Sequence, residues 1–238
     1  MKISTKVVSP KQQVFLMAGI LGILGVSVSV IIIAIGGGFS GPGPSILNPP
    51  TAGDLWHVGE GLTSGTQLNY SLTSLGAHTS LLDAKVSLTY AKAASQKDFK
   101  VIVRINNGTI FREGTVFLSK EQLTNVGITD EQFRPYYQPI ESSILSIRDI
   151  AREAKYLTLG AQWDSIIVGV SSVPVKITSK ERIKTTAGSF DTFILSYTTG
   201  SKTSSIWLAH GIPLPIKAEV YDADDRLQYK FILTGMKR

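Results

Sequence analysis

The chain has 238 residues, of which 43% are apolar and only 18% are charged, below the roughly 25% charged residues of an average soluble protein. This composition excludes a collagen-like or wholly disordered chain, and the absence of cysteine excludes disulfides, thiolate metal sites and thiol nucleophiles. The net charge of +6 is divided equally between residues 1–53 and the rest of the chain, so no dense basic patch forms and nucleic acid is not an expected partner.

The first predicted element is a membrane-spanning helix over residues 13–35. Val14 to Ile35 is almost wholly apolar and carries no charge, and 22 helical residues span about 33 Å, close to the thickness of a bilayer core. The alternative, a cleaved signal peptide, would have a shorter apolar region that ends at a small-x-small site. The length of the run therefore favours an uncleaved anchor.

The charges before this helix predict its orientation. Lys2, Lys6 and Lys11 lie in residues 1–12, and an excess of lysine and arginine marks the cytoplasmic side of a membrane helix. We expect a single-pass protein of the cell membrane with a cytoplasmic N-terminus and an extracytoplasmic C-terminal domain.

The predicted span also carries four small residues at spacings of four, three and four, which aligns them on one helix face. They are Ala18, Gly22, Gly25 and Ser29. Little hydrophobic force draws helices together in lipid, so small residues favour association by allowing close packing. We predict that this face docks a membrane-protein partner or a second copy, although glycine is also common in membrane spans generally.

Residues 36–53 are predicted to form a linker, because they contain six glycines and four prolines. The spacing Gly36-x-Gly38-x-x-Gly41 matches a dinucleotide-binding pattern. It follows a membrane span and opens no helix, so no phosphate site is predicted. A β-rich extracytoplasmic domain is expected over 54–238.

Nine strands are predicted in this domain, because apolar and polar residues alternate. Four are expected at 66–73, 85–91, 99–105 and 110–118, and five at 175–186, 190–198, 203–209, 216–221 and 227–233. Asn107-Gly108 predicts a hairpin turn. Asp222 to Asp225 predicts another turn rather than a calcium site, because the glycine and distal glutamate of a calcium loop are missing.

Between the two groups of strands, apolar residues recur at intervals of three and four, which predicts an amphipathic helix over 140–159. They are Ile140, Ile144, Ile147, Ile150, Ala151, Ala154 and Leu157. The apolar faces of nine strands need a partner, and this helix is the only long apolar candidate. We therefore predict an α+β fold in which a curved antiparallel sheet of about nine strands wraps around a central amphipathic helix, preceded by one transmembrane helix.

This order of strands, helix and strands resembles the LolA/LppX-type half-barrel of extracytoplasmic lipoprotein carriers. Residues 184–191, Trp207 and residues 213–217 are similar to a strand pattern of related envelope domains, and the resemblance covers about residues 54–236. The chain departs from that pattern in lacking a lipidation cysteine, whose role the helical anchor would take. The resemblance implies binding of a hydrophobic ligand or a partner protein rather than catalysis.

No catalytic residue, cofactor or metal site is predicted. His57, His78 and His210 lack the spacing of a zinc helix, and no G-x-S-x-G nucleophile motif occurs. Asn69 and Asn107 begin Asn-x-Ser/Thr triplets at positions expected to be exposed, so both are predicted glycosylation sites in a host that glycosylates.

The sequence thus predicts a membrane-anchored accessory or structural subunit of a membrane protein complex. One alternative is a half-barrel module that holds a lipid or other hydrophobic ligand between sheet and helix, and a third hypothesis is an envelope hydrolase. The helix distinguishes the first two, because no ligand cavity remains if four of its residues fill the concave face. These residues are Ile140, Ile144, Ile147 and Leu157.

Overall fold

A computed structural model describes residues 51–74 and 81–238. The predicted membrane helix at 13–35 and most of the linker lie outside the described residues. Within the two described ranges, no helix combines the length and the apolar character needed to cross a membrane.

The fold is mostly β, and about half of the described residues lie in strands. The strands are β1 (Leu55–Trp56), β2 (Gln67–Ser74), β3 (Lys85–Lys92), β4 (Asp98–Asn106), β5 (Phe111–Ser119), β6 (Lys155–Tyr156), β7 (Gln162–Val168), β8 (Ser171–Thr185), β9 (Gly188–Thr198), β10 (Thr203–Leu208), β11 (Lys217–Tyr221) and β12 (Leu227–Lys237). Ten of them form one antiparallel sheet in the order β5-β4-β3-β2-β12-β11-β10-β9-β8-β7, and β1 pairs with β6 in a separate ladder. The edges of the large sheet are therefore β5 and β7.

All nine predicted strands are present, because their alternation reflects one buried and one solvent-facing side. In β3, for example, Val86, Leu88 and Tyr90 are buried while the residues between them are partly exposed. Both predicted turns are also confirmed: residues 107–110 join β4 to β5, and the Asp222 carboxylate accepts hydrogen bonds from the backbone N–H groups of Asp224 and Arg226.

The predicted sheet around one central five-turn helix is wrong. The segment forms two short helices, α1 (Arg134–Glu141) and α2 (Ile147–Ile150). Serines separate them: the Ser143 hydroxyl donates to the Pro139 carbonyl oxygen at 2.6 Å, and such side-chain bonds compete with helix continuation. Beyond α2, the Leu157 N–H donates to the Asp54 carbonyl oxygen at 2.7 Å, which holds the chain beside β1 in extended form.

The apolar spacing nevertheless identified core residues. Ile140, Ile144, Ile147 and Leu157 are each at most 1% exposed, and they pack with the inward-facing residues of the sheet. Ala154, which the same spacing placed on the apolar face, is exposed. The apolar residues at intervals of three and four are therefore mostly buried against the sheet, but they do not lie on a single helix.

Candidate functional site

The edge strand β5 presents backbone hydrogen-bonding groups that its own sheet does not use. In the turn, the Asn107 N–H donates to the Ile110 carbonyl oxygen. Hydrogen-bonded and non-hydrogen-bonded residue pairs alternate along an antiparallel ladder. The backbone groups of residues 112, 114, 116 and 118 therefore bond to β4, whereas those of the residues between them point outward. The outward Phe117 carbonyl oxygen and both backbone groups of Ser119 pair with the segment 123–126. No backbone group of the described residues pairs outward with Glu113 or Thr115.

A cleft of about 800 Å³ lies along this open part of β5. Its lining comes from the strand on one side and from residues 128–136 on the other: Arg112, Glu113, Gly114, Thr115, Ile128, Asp130, Gln132, Phe133 and Tyr136. The cleft thus runs directly beside the unpaired backbone groups.

Gly114 allows the opposite wall to pack against the strand. The ring of Phe133, only 5% exposed, occupies the space that a side chain at position 114 would fill. A Cβ atom there would lie well within 3.0 Å of three ring atoms, a separation that real Cβ contacts do not reach. Phe133 also stacks on Tyr137 of α1 at 6.3 Å between ring centroids, so the wall is continuous with the core.

Side-chain hydrogen bonds order the loop that forms this wall. The Asp130 carboxylate accepts the backbone N–H groups of Gln132 at 2.8 Å and Phe133 at 3.1 Å, a local arrangement that suits the start of a helix. The Asn125 amide donates to the buried Thr129 hydroxyl at 2.9 Å. The loop is therefore held in place, and the Ile128 side chain, 92% exposed, stands beside the cleft.

The charges around the cleft are few and mostly engaged. The Arg112 guanidinium lies 5.0 Å from the centre of the Tyr136 ring and donates to the Phe111 carbonyl oxygen at 2.9 Å. Glu113 pairs with Arg104 of β4 at 2.5 Å. A site with free backbone groups, apolar and aromatic side chains and engaged charges suits a polypeptide backbone better than a charged small molecule.

In the core of the described residues, the buried hydroxyls of Tyr90 and Tyr137 make no hydrogen bond of normal geometry. Burial is the main cause that raises the pKa of each phenol, and the nearby Glu141 carboxylate adds to the shift at Tyr137. Both hydroxyls therefore stay neutral at physiological pH. In contrast, the buried Tyr70 hydroxyl donates to the Pro215 carbonyl oxygen at 3.1 Å.

The residues singled out from the sequence lie elsewhere. Those of the predicted packing face, Ala18, Gly22, Gly25 and Ser29, are outside the described residues. Asn69 is half-buried in β2, where its amide oxygen accepts from the Gln67 side chain at 3.1 Å, and Asn107 lies in the β4–β5 turn, where its amide oxygen accepts the Ile110 N–H at 2.8 Å. Glycosylation at either residue stays a prediction.

Among residues 51–74 and 81–238, no three histidine, aspartate or glutamate side chains are grouped so as to hold a metal ion. The sequence analysis did not predict the β5 cleft, although the sequence contains one signal of it. A glycine inside a strand often marks the close approach of another group, and Gly114 allows the close approach of Phe133.

No protein-family model matches the sequence, and no curated protein matches it. Among solved structures, an exported protein with a YmcC-like fold from Bacteroides fragilis is similar at 11% identity and a TM-score of 0.37, covering 78% of this chain and all of its own. A lipoprotein from Parabacteroides distasonis is 12% identical with a TM-score of 0.36, covering 76% of this chain and 99% of its own.

The Pseudomonas aeruginosa MucA/MucB complex contains a further similar chain, with 12% identity, a TM-score of 0.35, and coverage of 72% of this chain and 50% of that chain. These neighbours are thus described as an exported protein, a lipoprotein and a MucA/MucB complex, and none of the three descriptions names a LolA-type carrier.

Proposed function

We propose that this chain is an extracytoplasmic interaction protein, held at the membrane by its apolar run at 14–35, that binds an extended segment of a partner protein along β5. The observation that carries the proposal is the pair of outward-facing residues Glu113 and Thr115, whose backbone groups line an open cleft. An extended peptide that adds to a sheet edge gains main-chain hydrogen bonds from such groups, and adjacent pockets select its side chains.

The filled space between the sheet and the 140–159 segment supports this function over the alternative of a ligand carrier. A ligand held between the sheet and the 140–159 segment would need the space that the segment's apolar side chains occupy. Ile140, Ile144, Ile147 and Leu157 are buried there among the core residues. The open surface at β5 is thus better suited to a partner than the interior is to a lipid.

A pair of variants at one position tests the proposed binding mode. Glu113→Pro removes the outward N–H without removing a β4–β5 hydrogen bond, and proline is tolerated on edge strands in this position. Glu113→Thr removes the same carboxylate but keeps the N–H. If the backbone is recognised, the proline variant loses partner binding and the threonine variant retains it.

Binding is measured by placing a photo-crosslinking amino acid at Ile128 in the full chain, beside the cleft. We expect one crosslinked partner for the wild type and for Glu113→Thr, and its loss for Glu113→Pro, with all three proteins unfolding at similar temperatures. Equal crosslinking in all three would show that the partner does not pair with β5, and a comparable loss in both variants would assign recognition to the carboxylate.

A further inference from the structure

The hairpin formed by β7 and β8 ends in exposed apolar side chains. Val168 pairs with Ser171, so Gly169 and Val170 alone form the turn, and Gly169 has the positive φ of +60° that a tight turn of this kind requires. Val170 is fully exposed and Ile167 is 71% exposed. Turn positions usually carry polar residues, so two aliphatic side chains at this tip are unusual.

The end of this hairpin is also uncharged. Residues 165–175 contain no acidic or basic side chain, and the nearest charges along the chain are Asp164 and Lys176 at the base of the segment. Four ladder pairs separate the base from the turn, from Ser165 with Pro174 to Val168 with Ser171. At about 3.3 Å per residue these pairs span roughly 13 Å, more than the depth of one headgroup layer.

We propose that this tip, residues 167–170, inserts into the interfacial layer of a lipid bilayer. Ile166 and Val173 pack against the core, and beyond them the uncharged tip carries aliphatic side chains that can enter a fluid layer, whereas a protein partner would have to provide a matching pocket. No strand of the described residues pairs with the outer edge of β7, and unpaired backbone groups are costly to place in hydrocarbon. Insertion is therefore limited to the turn and the side chains beside it.

The inference rests on the membrane-anchor part of the proposed function. The linker is short enough to keep the tip at 167–170 within reach of the bilayer. Residues 36–53 span at most about 60 Å when extended, so the domain cannot leave the neighbourhood of the bilayer that holds residues 14–35. Insertion of two aliphatic side chains would then add a second attachment, worth roughly 10- to 150-fold in membrane partitioning for each fully buried side chain.

The test uses the absence of cysteine, because a single introduced cysteine is the only labelling site. An environment-sensitive fluorophore at Ser171→Cys reports on the tip while Ile167 and Val170 stay intact. The matched control is Ala223→Cys, an exposed position in the β11–β12 turn. Each labelled full chain is reconstituted in vesicles of phosphatidylcholine and phosphatidylglycerol, with and without Val170→Asp.

We expect the emission at 171 to shift to shorter wavelength and to be quenched by lipids that carry a spin label on the acyl chain. The probe at 223 should remain accessible to aqueous iodide, and Val170→Asp should abolish the lipid quenching at 171. A probe at 171 that behaves like the one at 223 would overturn the inference. So would a shifted emission without lipid quenching, since the tip would then contact protein, such as a second copy. Neither result changes crosslinking at Ile128, so a failure here is distinct from a failure of partner binding at β5.

Discussion

Replacing Gly114 by alanine tests how β5 and the wall of the cleft are packed. The added Cβ would overlap the Phe133 ring, which is buried and rests on Tyr137. The ring cannot retreat into the core without displacing Tyr137, so it must tilt into the cleft. The substitution therefore perturbs the proposed binding site and the stability of the domain together.

The expected loss of stability follows from overpacking. Extra methyl groups in a close-packed interior cost about 1–3 kcal/mol, and complete loss of a buried phenylalanine, an upper limit, costs about 3–5 kcal/mol. Because the Phe133 ring lines the cleft and can tilt toward it, we expect about 2 kcal/mol for Gly114→Ala. In a folded unit of this size, that corresponds to a fall in melting temperature of about 4–8 °C.

Urea unfolding of the full chain in detergent measures this effect, followed by the fluorescence of the buried tryptophans Trp56, Trp163 and Trp207. The control is Gly127→Ala, whose Cβ would lie 3.2 Å from the exposed Phe117 ring, which is free to move. In a Phe133→Ala background, Gly114→Ala should cost little. If Gly114→Ala unfolded like the wild type, or if removing the Phe133 ring failed to relieve its effect, Gly114 would not be required by that contact.

Two further predictions concern the core and the β11–β12 turn. Tyr90→Phe should raise the free energy of unfolding by about 1 kcal/mol because it removes an unpartnered hydroxyl, whereas Tyr70→Phe should lower it by about as much because it leaves the Pro215 carbonyl oxygen without its donor; similar losses in a urea titration of both variants would contradict this contrast. Hydrogen bonds from the Arg226 backbone lower the pKa of Asp222, and those from the Ser201 hydroxyl and the Lys202 backbone lower that of Asp225, below the ordinary value of 3.8. Since these carboxyls bind protons less readily in the folded state, their contribution to stability is present above pH 3.8 and is lost as the pH falls through their folded values. Urea midpoints measured at decreasing pH should therefore fall less steeply for Asp222→Asn and Asp225→Asn than for the wild type, and parallel curves would refute the assignment.

The strands could be predicted because their signal is local. Alternating burial, as in β3, and the turn at Asn107-Gly108 depend on neighbouring residues only. The strand β7 was missed because its apolar residues are consecutive: Ile166, Ile167 and Val168 do not alternate, and Trp163 is its only fully buried side chain. The central helix was predicted from spacing that reflects burial, but serine side chains and the pairing of β6 with β1 interrupt it.

The candidate site could not be predicted, because it depends on strand order. β5 is an edge only because β2 pairs with β12, which lies more than 150 residues away along the chain. The cleft further requires the loop at 128–136 to lie beside that edge, and Gly114 was the single local signal of this contact. Local patterns determine which residues form strands, whereas distant pairings determine which strand remains open.

Backbone hydrogen exchange of the full chain, measured by NMR with and without the bound partner segment, tests whether that segment adds a strand to β5. The ladder with β4 provides an internal control, because the amides of Arg112 and Gly114 are already bonded within the sheet, whereas those of Glu113 and Thr115 point outward. Addition of a partner strand to β5 predicts that exchange at Glu113 and Thr115 slows strongly on binding while exchange at Arg112 and Gly114 changes little. Unchanged exchange at Glu113 and Thr115 in a saturated complex would contradict the account.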